Sequence, residues 1–358
     1  MQNIVQYLKE VVERGGSDLH IVANAPPMMR LNGELVRIER NVLSKNDTME
    51  LLSEILTPEQ MEILEERKSL DLAYEVLHAG VVQRFRCNFF FQREGLDGAF
   101  RVIPREIPTL RELNLPQSLE DLARYRDGLI LITGPTGSGK STTITALIDI
   151  INKTQARHIV TIEDPIEHVH VNKLSLIHQR QIGLHSLSFE SSLKAVLHQD
   201  CDVVMVGEMR DLETIELTLT AAGTGHLVFS TMHTSSAAKA VERLIEFYPA
   251  QRQMSVRAML ADCMRAVVAQ QLLPRADGWG RIPAVEILIN CLPIANLIRE
   301  FKTHQVTFVM QTSKNIGMIT MDDYLRQLFE EGKITSVTAY EHAIDKKSME
   351  SVLQPGGR

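Results

Sequence analysis

Gly134-Pro135-Thr136-Gly137-Ser138-Gly139-Lys140-Ser141-Thr142-Thr143 follows the apolar run Leu129-Ile130-Leu131-Ile132 and precedes Ile144-Thr145-Ala146-Leu147-Ile148. The stretch reads as strand, phosphate loop, helix. The pattern G-x-x-x-x-G-K-[ST] has a mechanism: glycines let backbone N–H groups curl round an anion, Lys140 reaches the terminal phosphates and the Ser141 hydroxyl ligates Mg²⁺. The helix behind the loop adds its own positive end. Gly134, Pro135, Thr136, Gly137, Ser138, Gly139, Lys140, Ser141 and Thr142 therefore form a candidate nucleoside-triphosphate site.

Three further apolar runs follow: His158-Ile159-Val160-Thr161-Ile162, Val203-Val204-Met205-Val206 and His226-Leu227-Val228-Phe229-Ser230-Thr231. Short continuous apolar runs separated by helical segments predict an α/β fold whose parallel sheet is covered on both faces. Ligand chemistry then belongs at the carboxyl ends of the strands. The first run ends in Glu163-Asp164-Pro165-Ile166-Glu167-His168, and one of these acids can hold the attacking water as general base. The second ends in Gly207-Glu208-Met209-Arg210-Asp211, which puts Glu208 where a Mg²⁺-supporting Walker B acid belongs. His226 and His233 bracket the third; each reads equally well as a satisfied structural histidine or as a group touching the nucleotide. Mg²⁺ prefers oxygen ligands and no soft-ligand cluster accompanies the pair, which argues against metal binding there.

The 358 residues suffice for two domains. Lys and Arg total 38 against 45 Asp and Glu, a net charge of −7, which argues against nucleic acid as a partner. Cys87, Cys201, Cys263 and Cys291 are scattered without a C-x-x-C pair, so a reduced, cytoplasmic setting is expected, with neither zinc knuckle nor disulfide framework. No apolar run approaches the roughly 20 residues that span a bilayer, so membrane association is expected only through a partner. The stretch Met1 to Gly16 reads as an amphipathic helix, with Ile4, Val5, Leu8, Val11 and Val12 apolar, rather than as a signal peptide.

Residues 1–104 alternate helix-like and strand-like segments and suggest a small α+β domain, with strands at Leu19–Val22, Met28–Leu35, Leu70–Val76, Val81–Gln92 and Gly98–Val102 and helices at Lys45–Leu56 and after Pro58. Arg84 and Arg86 share one face of a strand. Pro104, Pro108 and Pro116 punctuate a hinge-like linker, residues 105–118, before the second domain at 119–358. From about Ala250 the pattern turns mostly helical, with helices expected over Gln253–Gln271, Pro293–Glu300 and Thr320–Glu331 and a strand at Ile282–Ile289; residues 290–358 form a helical C-terminal region whose tail, Gln354–Arg358, reads as disordered.

Together these segments resemble the secretion-superfamily hexameric ATPases, and most closely the type IV pilus retraction ATPases, the PilT/PilU group. The likeness is carried by Arg14-Gly15-Gly16-Ser17-Asp18-Leu19-His20, Arg84-Phe85-Arg86, Phe100-Arg101-Val102-Ile103-Pro104, the phosphate loop, Thr161 to Glu167, Val206 to Thr214 and Thr224 to Thr234. It implies a PAS-like N-terminal domain, a RecA-like P-loop domain and a homo-hexameric ring that hydrolyses ATP with Mg²⁺. By position, Lys140, Ser141 and Thr142 would bind phosphates and Mg²⁺, Glu167 would be the catalytic base supported by Glu163, and Glu208 would hold the Mg²⁺ water shell. His226 and His233 would sense the γ-phosphate or contact a neighbouring domain, and Arg84, Arg86 and Arg101 would approach the phosphates as arginine fingers do. The implied work is pilus retraction and twitching motility at the inner face of the inner membrane. Implied partners are a PilC-like platform protein and a paralogous retraction or extension ATPase.

The family pattern Ala-Glu-Thr-Gly-His is here Ala222-Gly223-Thr224-Gly225-His226, and the retraction-specific AIRNLIRE is Pro293-Ile294-Ala295-Asn296-Leu297-Ile298-Arg299-Glu300. The second departure keeps an accessory, PilU-like role open; the first keeps open a regulatory ring subunit that binds ATP with little hydrolysis. Extension and secretion ATPases usually add an N-terminal domain and a four-cysteine zinc motif, neither of which this sequence supplies. A metabolic kinase lacks an acceptor-binding signature here.

Overall fold

The computed structural model describes residues 2–31 and 33–353, and the expectation for Gln354–Arg358 lies outside them. The chain divides into two compact units, Met1–Glu106 with Pro165–Val169, and Ile107–Asp164 with His170–Arg358. The short segment 165–169, between two strands of the second unit in sequence, groups with the first.

The first unit runs α1 (Ile4–Glu13), β1 (Asp18–Ile21), β2 (Met28–Leu31), β3 (Glu34–Arg37), α2 (Lys45–Ser53), α3 (Pro58–Arg67), β4 (Ser69–His78), β5 (Val81–Gln92) and β6 (Gly95–Ile103). All six strands pair antiparallel in the order β3-β2-β1-β6-β5-β4. The single strand expected over Met28–Leu35 is two: Leu31 pairs with Glu34, and Gly33 takes φ +89° at the reversal, a value that suits glycine. Each helix starts with a capping box, from Asn3, Ser44 and Thr57. Their buried faces (Ile4, Leu8, Val11, Leu51, Leu52, Leu64) meet Phe85, Cys87, Phe89 and Phe100 in one core. Alternation along β5 leaves Arg84 and Arg86 on the other face.

The second unit runs β7 (Gly128–Thr133), α4 (Lys140–Thr154), β8 (His158–Glu163), β9 (Leu176–Gln181), α5 (Phe189–Val196), β10 (Val203–Val206), α6 (Leu212–Gly223), β11 (Leu227–Met232), α7 (Ala237–Glu246), α8 (Ala250–Cys263), β12 (Met264–Pro274), β13 (Arg281–Ile289), α9 (Leu292–Arg299), α10 (Val306–Thr312), α11 (Met321–Glu330), α12 (Ser336–His342) and α13 (Lys346–Leu353). The strand order is β13-β12-β7-β11-β10-β8-β9, parallel except for β13. Alternate residues feed two cores: Leu129, Leu131, Val204 and Val206 meet α5 to α9 on one face. Ile130, Ile132, Val203 and Met205 meet α4, α11 and α12 on the other, joined by Leu110 and Leu115 from the proline-rich stretch.

The helix expected over Gln253–Gln271 ends at Cys263, and Met264–Pro274 is a strand between β7 and β13. Burial of both of its faces erases the period of two that marks a half-exposed strand, leaving an apolar run that periodicity alone reads as helix. The β-branched pair Val267-Val268 is the local signal for a strand.

Helix α4 is moored deep in this unit. Asp149, with a side chain only 5% exposed, pairs with Lys153 at 2.6 Å and with Lys173. Burial raises its carboxyl, but the two ammonium groups outweigh it and hold the group below its ordinary 3.8. A depressed folded value means the contribution is full above the ordinary carboxylate range and is lost as pH falls through the folded value. Asp149→Asn is therefore expected to cost roughly 1.5–3 kcal/mol in urea unfolding at pH 7, the gap to the parent closing below about pH 4. A gap independent of pH contradicts this account.

Candidate active site

The parallel strands of the second unit place their carboxyl ends in a row. Gly134 leaves β7, His233 follows β11, Gly207-Glu208 follow β10, and Glu163 ends β8. The register holds these ends level, since Met232 pairs with Thr133 and Val206 with Ser230 and Ile162. Thr133 Oγ1 also accepts from the Thr234 N–H at 2.9 Å, tying the loop after β11 to the end of β7.

The phosphate loop opens at Gly134, φ +147°, where a Cβ would stand 2.1 Å from the Gln270 carbonyl oxygen, so no other residue fits. Gly139, φ +86°, is the N-cap of α4 and supplies no side-chain cap. The leading N–H groups of the 15-residue helix are left for an anion. Lys140 Nζ donates to the Gly134 and Pro135 carbonyls at 2.9 Å each. The Ser138 hydroxyl is buried without a protein partner among the described residues. An uncapped helix end, a lysine and an orphaned hydroxyl fit a polyphosphate.

Glu208 is the hub of the acidic end. Arg210 Nε donates to Glu208 Oε2 at 2.8 Å, and His233 Nε2 lies 3.0 Å from Oε1. Burial pushes this carboxyl up, yet the Arg210 guanidinium and His233 outweigh burial and hold it below the usual carboxylate range. Glu208 therefore stays an oxygen donor with charge to spare for a hard cation. Glu163, 7% exposed, accepts from Thr161 Oγ1 at 2.6 Å and Gln179 Nε2 at 3.1 Å on the same oxygen, which fixes its carboxyl plane.

The first unit holds its own cluster. Arg86, Arg101, Pro104, Pro165, Glu167 and His168 line a cavity of about 230 Å³. Arg101 stands in register with Arg86 on one side and Asp18 on the other, and its Nε donates to Asp18 Oδ1 at 2.8 Å. Directly opposed arginines repel. Asp18 offsets this, and Asp71 lies 3.9 Å from Arg86. Arg84, one pleat along, bonds Glu75 at 3.0 Å and is not among that cavity's lining residues. Burial pushes the His168 imidazole below its ordinary value.

His226 does not join the phosphate end of its unit. Its carbonyl accepts from the Gly128 N–H, so it stands at the amino end of the sheet, about 20 Å along the strand from the loop. Its Nδ1 lies 3.1 Å from the Ala221 carbonyl. Of the two roles expected of His226, sensing the γ-phosphate or contacting a neighbouring domain, the first does not fit this placement, since a six-residue strand separates it from His233. Gly223 lies at the same far end, where a Cβ would meet nothing within 4 Å. Gln270, read as helical from sequence, is the functional neighbour that the sequence reading missed. It lies one residue past the last β7–β12 pair, Ala269 with Thr133, beside the loop, and a polar side chain inside the run Ala266–Leu273 was the available signal.

This fold and this row of groups define a P-loop nucleotide-binding protein. The profile of the family described as "Type II/IV secretion system protein" matches residues 1–316. The chain is 42% identical to the type IV pilus retraction ATPase PilT of Pseudomonas aeruginosa over 341 residues, covering 95% of this chain and 98% of that one. It is 39% identical to the type IV pilus ATPase PilU of the same organism over 349 residues, covering 98% and 91%. The crystal structure of the pilus retraction motor PilT with bound ADP superposes with a TM-score of 0.91 at 42% identity, covering 98% of this chain and all of that one. The chain belongs to the type II/IV secretion system family and, within it, to the type IV pilus retraction ATPases.

Lys140→Ala removes the one cationic side chain of the loop and is expected to weaken ADP binding roughly 10- to 100-fold, read by calorimetry. Unchanged affinity would place the phosphates elsewhere.

Proposed function

We propose that this chain is an ATP hydrolase that works as a ring of six and drives retraction of type IV pili, returning pilin subunits to the membrane and producing twitching motility. The observation that carries the reading is the row of Lys140, His233, Glu208 and Glu163 on one sheet edge, in a chain that also presents Arg86, Arg101 and Glu167 round one cavity. The match to PilT along nearly its whole length supports the same reading.

In this scheme the N–H groups of 134–139 and the positive end of α4 bind the phosphates, Lys140 neutralises their charge, and Thr142 assists. Ser141 and Glu208 would hold Mg²⁺, which when bound supplies positive charge at the phosphate oxygens. Glu167 orients the attacking water and takes its proton on a carboxylate oxygen, with Glu163 in support. His233, fixed by Glu208, senses the γ-phosphate. Arg84, Arg86 and Arg101 neutralise the charge that develops on the transferred group. His226 contacts a neighbouring domain.

Residues 1–104 form a PAS-like domain and 119–358 the RecA-like motor, with Leu110 and Leu115 of the linker, 105–118, packed into the motor's core. The ring acts from the cytoplasmic side, attached to the inner membrane through a PilC-like platform protein. Among the described residues no helix is long and apolar enough to cross a membrane. An accessory, PilU-like role is favoured by one feature: Ala295, where the retraction motif has arginine, is 7% exposed and packed in the core. It predicts retraction only when a second retraction ATPase is present.

Glu167→Gln is expected to lower ATP turnover about 10²- to 10⁴-fold while ATP still binds. In cells lacking the parent gene, it should leave surface pili intact and abolish twitching. Normal turnover would move the base to Glu163. Arg101→Ala should depress turnover by up to about 10³-fold and ATP affinity far less. Equal losses in both would remove its transition-state role.

A further inference from the structure

We infer that Gln270 is a positioning residue for ATP hydrolysis: its side-chain amide sets the shape of the phosphate loop from the neighbouring strand. The amide is 3% exposed and uses both ends. Nε2 donates to the Ser138 carbonyl at 2.7 Å, and Oε1 accepts from Thr143 Oγ1 at 2.8 Å. One side chain thus holds the last turn of the loop and the first turn of α4 in fixed relation. Its backbone contributes too, since the Gln270 carbonyl is the atom that leaves no room for a Cβ at Gly134. A Cβ at Gly139 would likewise stand 2.9 Å from Nε2. Both glycines are therefore required partly by this residue.

The placement follows from the sheet. β12 runs parallel to β7 and continues past it, so the residue after Ala269 lies beside the loop rather than beside a strand. Glutamine suits the position because it must donate to a carbonyl and accept from a hydroxyl in a buried place. A carboxylate loses the donor, and an aliphatic side chain loses both. With the Ser138 carbonyl released, nothing fixes the direction in which the loop N–H groups point, and preorganised donors are worth most when their aim is fixed in advance.

The inference rests on reading 134–142 as the phosphate-binding loop, and the experiment separates the two. ADP affinity by calorimetry and unfolding temperature without nucleotide are measured for the parent, Gln270→Met, Thr143→Val, the double variant and Lys140→Ala. Gln270→Met is expected to weaken ADP binding tenfold or more with an unfolding temperature near the parent's. Thr143→Val, which leaves β12 untouched, should weaken it about threefold, and the double variant should match Gln270→Met instead of summing the two. ADP affinity within twofold of the parent in Gln270→Met, with a lowered unfolding temperature, overturns the inference and leaves Gln270 a packing residue. If Gln270→Met does not fold, Thr143→Val decides by the same twofold limit. Parent-like affinity in Lys140→Ala instead overturns the loop reading itself.

Discussion

Parallel hydrogen bonding between β12, β7, β11, β10 and β8 is the constraint on which the rest of the chemistry depends. Strands that run the same way in register end together, and neighbouring strands lie about 4.8 Å apart, so five strands deliver their terminal residues within roughly 20 Å. Gly134, Glu163, Glu208 and His233, far apart in sequence, fall along one side of the sheet for this reason. The cost is a sheet with two faces to cover, met by α5 to α9 on one side and α4, α11 and α12 on the other. Direction matters as much as order. His226 and His233 bracket the same strand, yet the direction of β11 sends one to the working edge and the other to the opposite edge.

The apolar runs at 129–132, 158–162 and 203–206 were legible because a buried parallel strand needs no polar alternation, and the glycine-lysine loop was legible because few other sequences satisfy its geometry. Three things were not. β12 is as apolar as its neighbours but lies next to a helix without any turn residue between, so local pattern had no boundary to find. The grouping of 165–169 with the first unit is a long-range contact, invisible to neighbouring residues. Gln270 bonds two residues more than a hundred positions away, and its immediate sequence shows only a polar side chain in an apolar run, not which residues it meets.

The arginine face shows how sequence and structure divide the work. Spacing put Arg84 and Arg86 on one face of a strand, but only the antiparallel register set Arg101 directly against Arg86. Three cations on one patch of sheet repel one another, and Asp18, Asp71 and Glu75 counter them at 2.8 to 3.9 Å. Asp18 is held below the usual carboxylate range: burial raises it, but Ser17 and Arg101 outweigh burial. The arginines are thus held in place by residues of their own unit, while the loop, Glu208 and Glu163 are organised by the other. Under the proposed function both sets of groups serve one nucleotide in a ring of six, so turnover depends on assembly.

The direct test of that dependence is specific ATPase activity across protein concentration, with light scattering on the same samples. The account predicts turnover per chain rising in step with the hexamer fraction. Full specific activity in samples that scatter as monomers would contradict it.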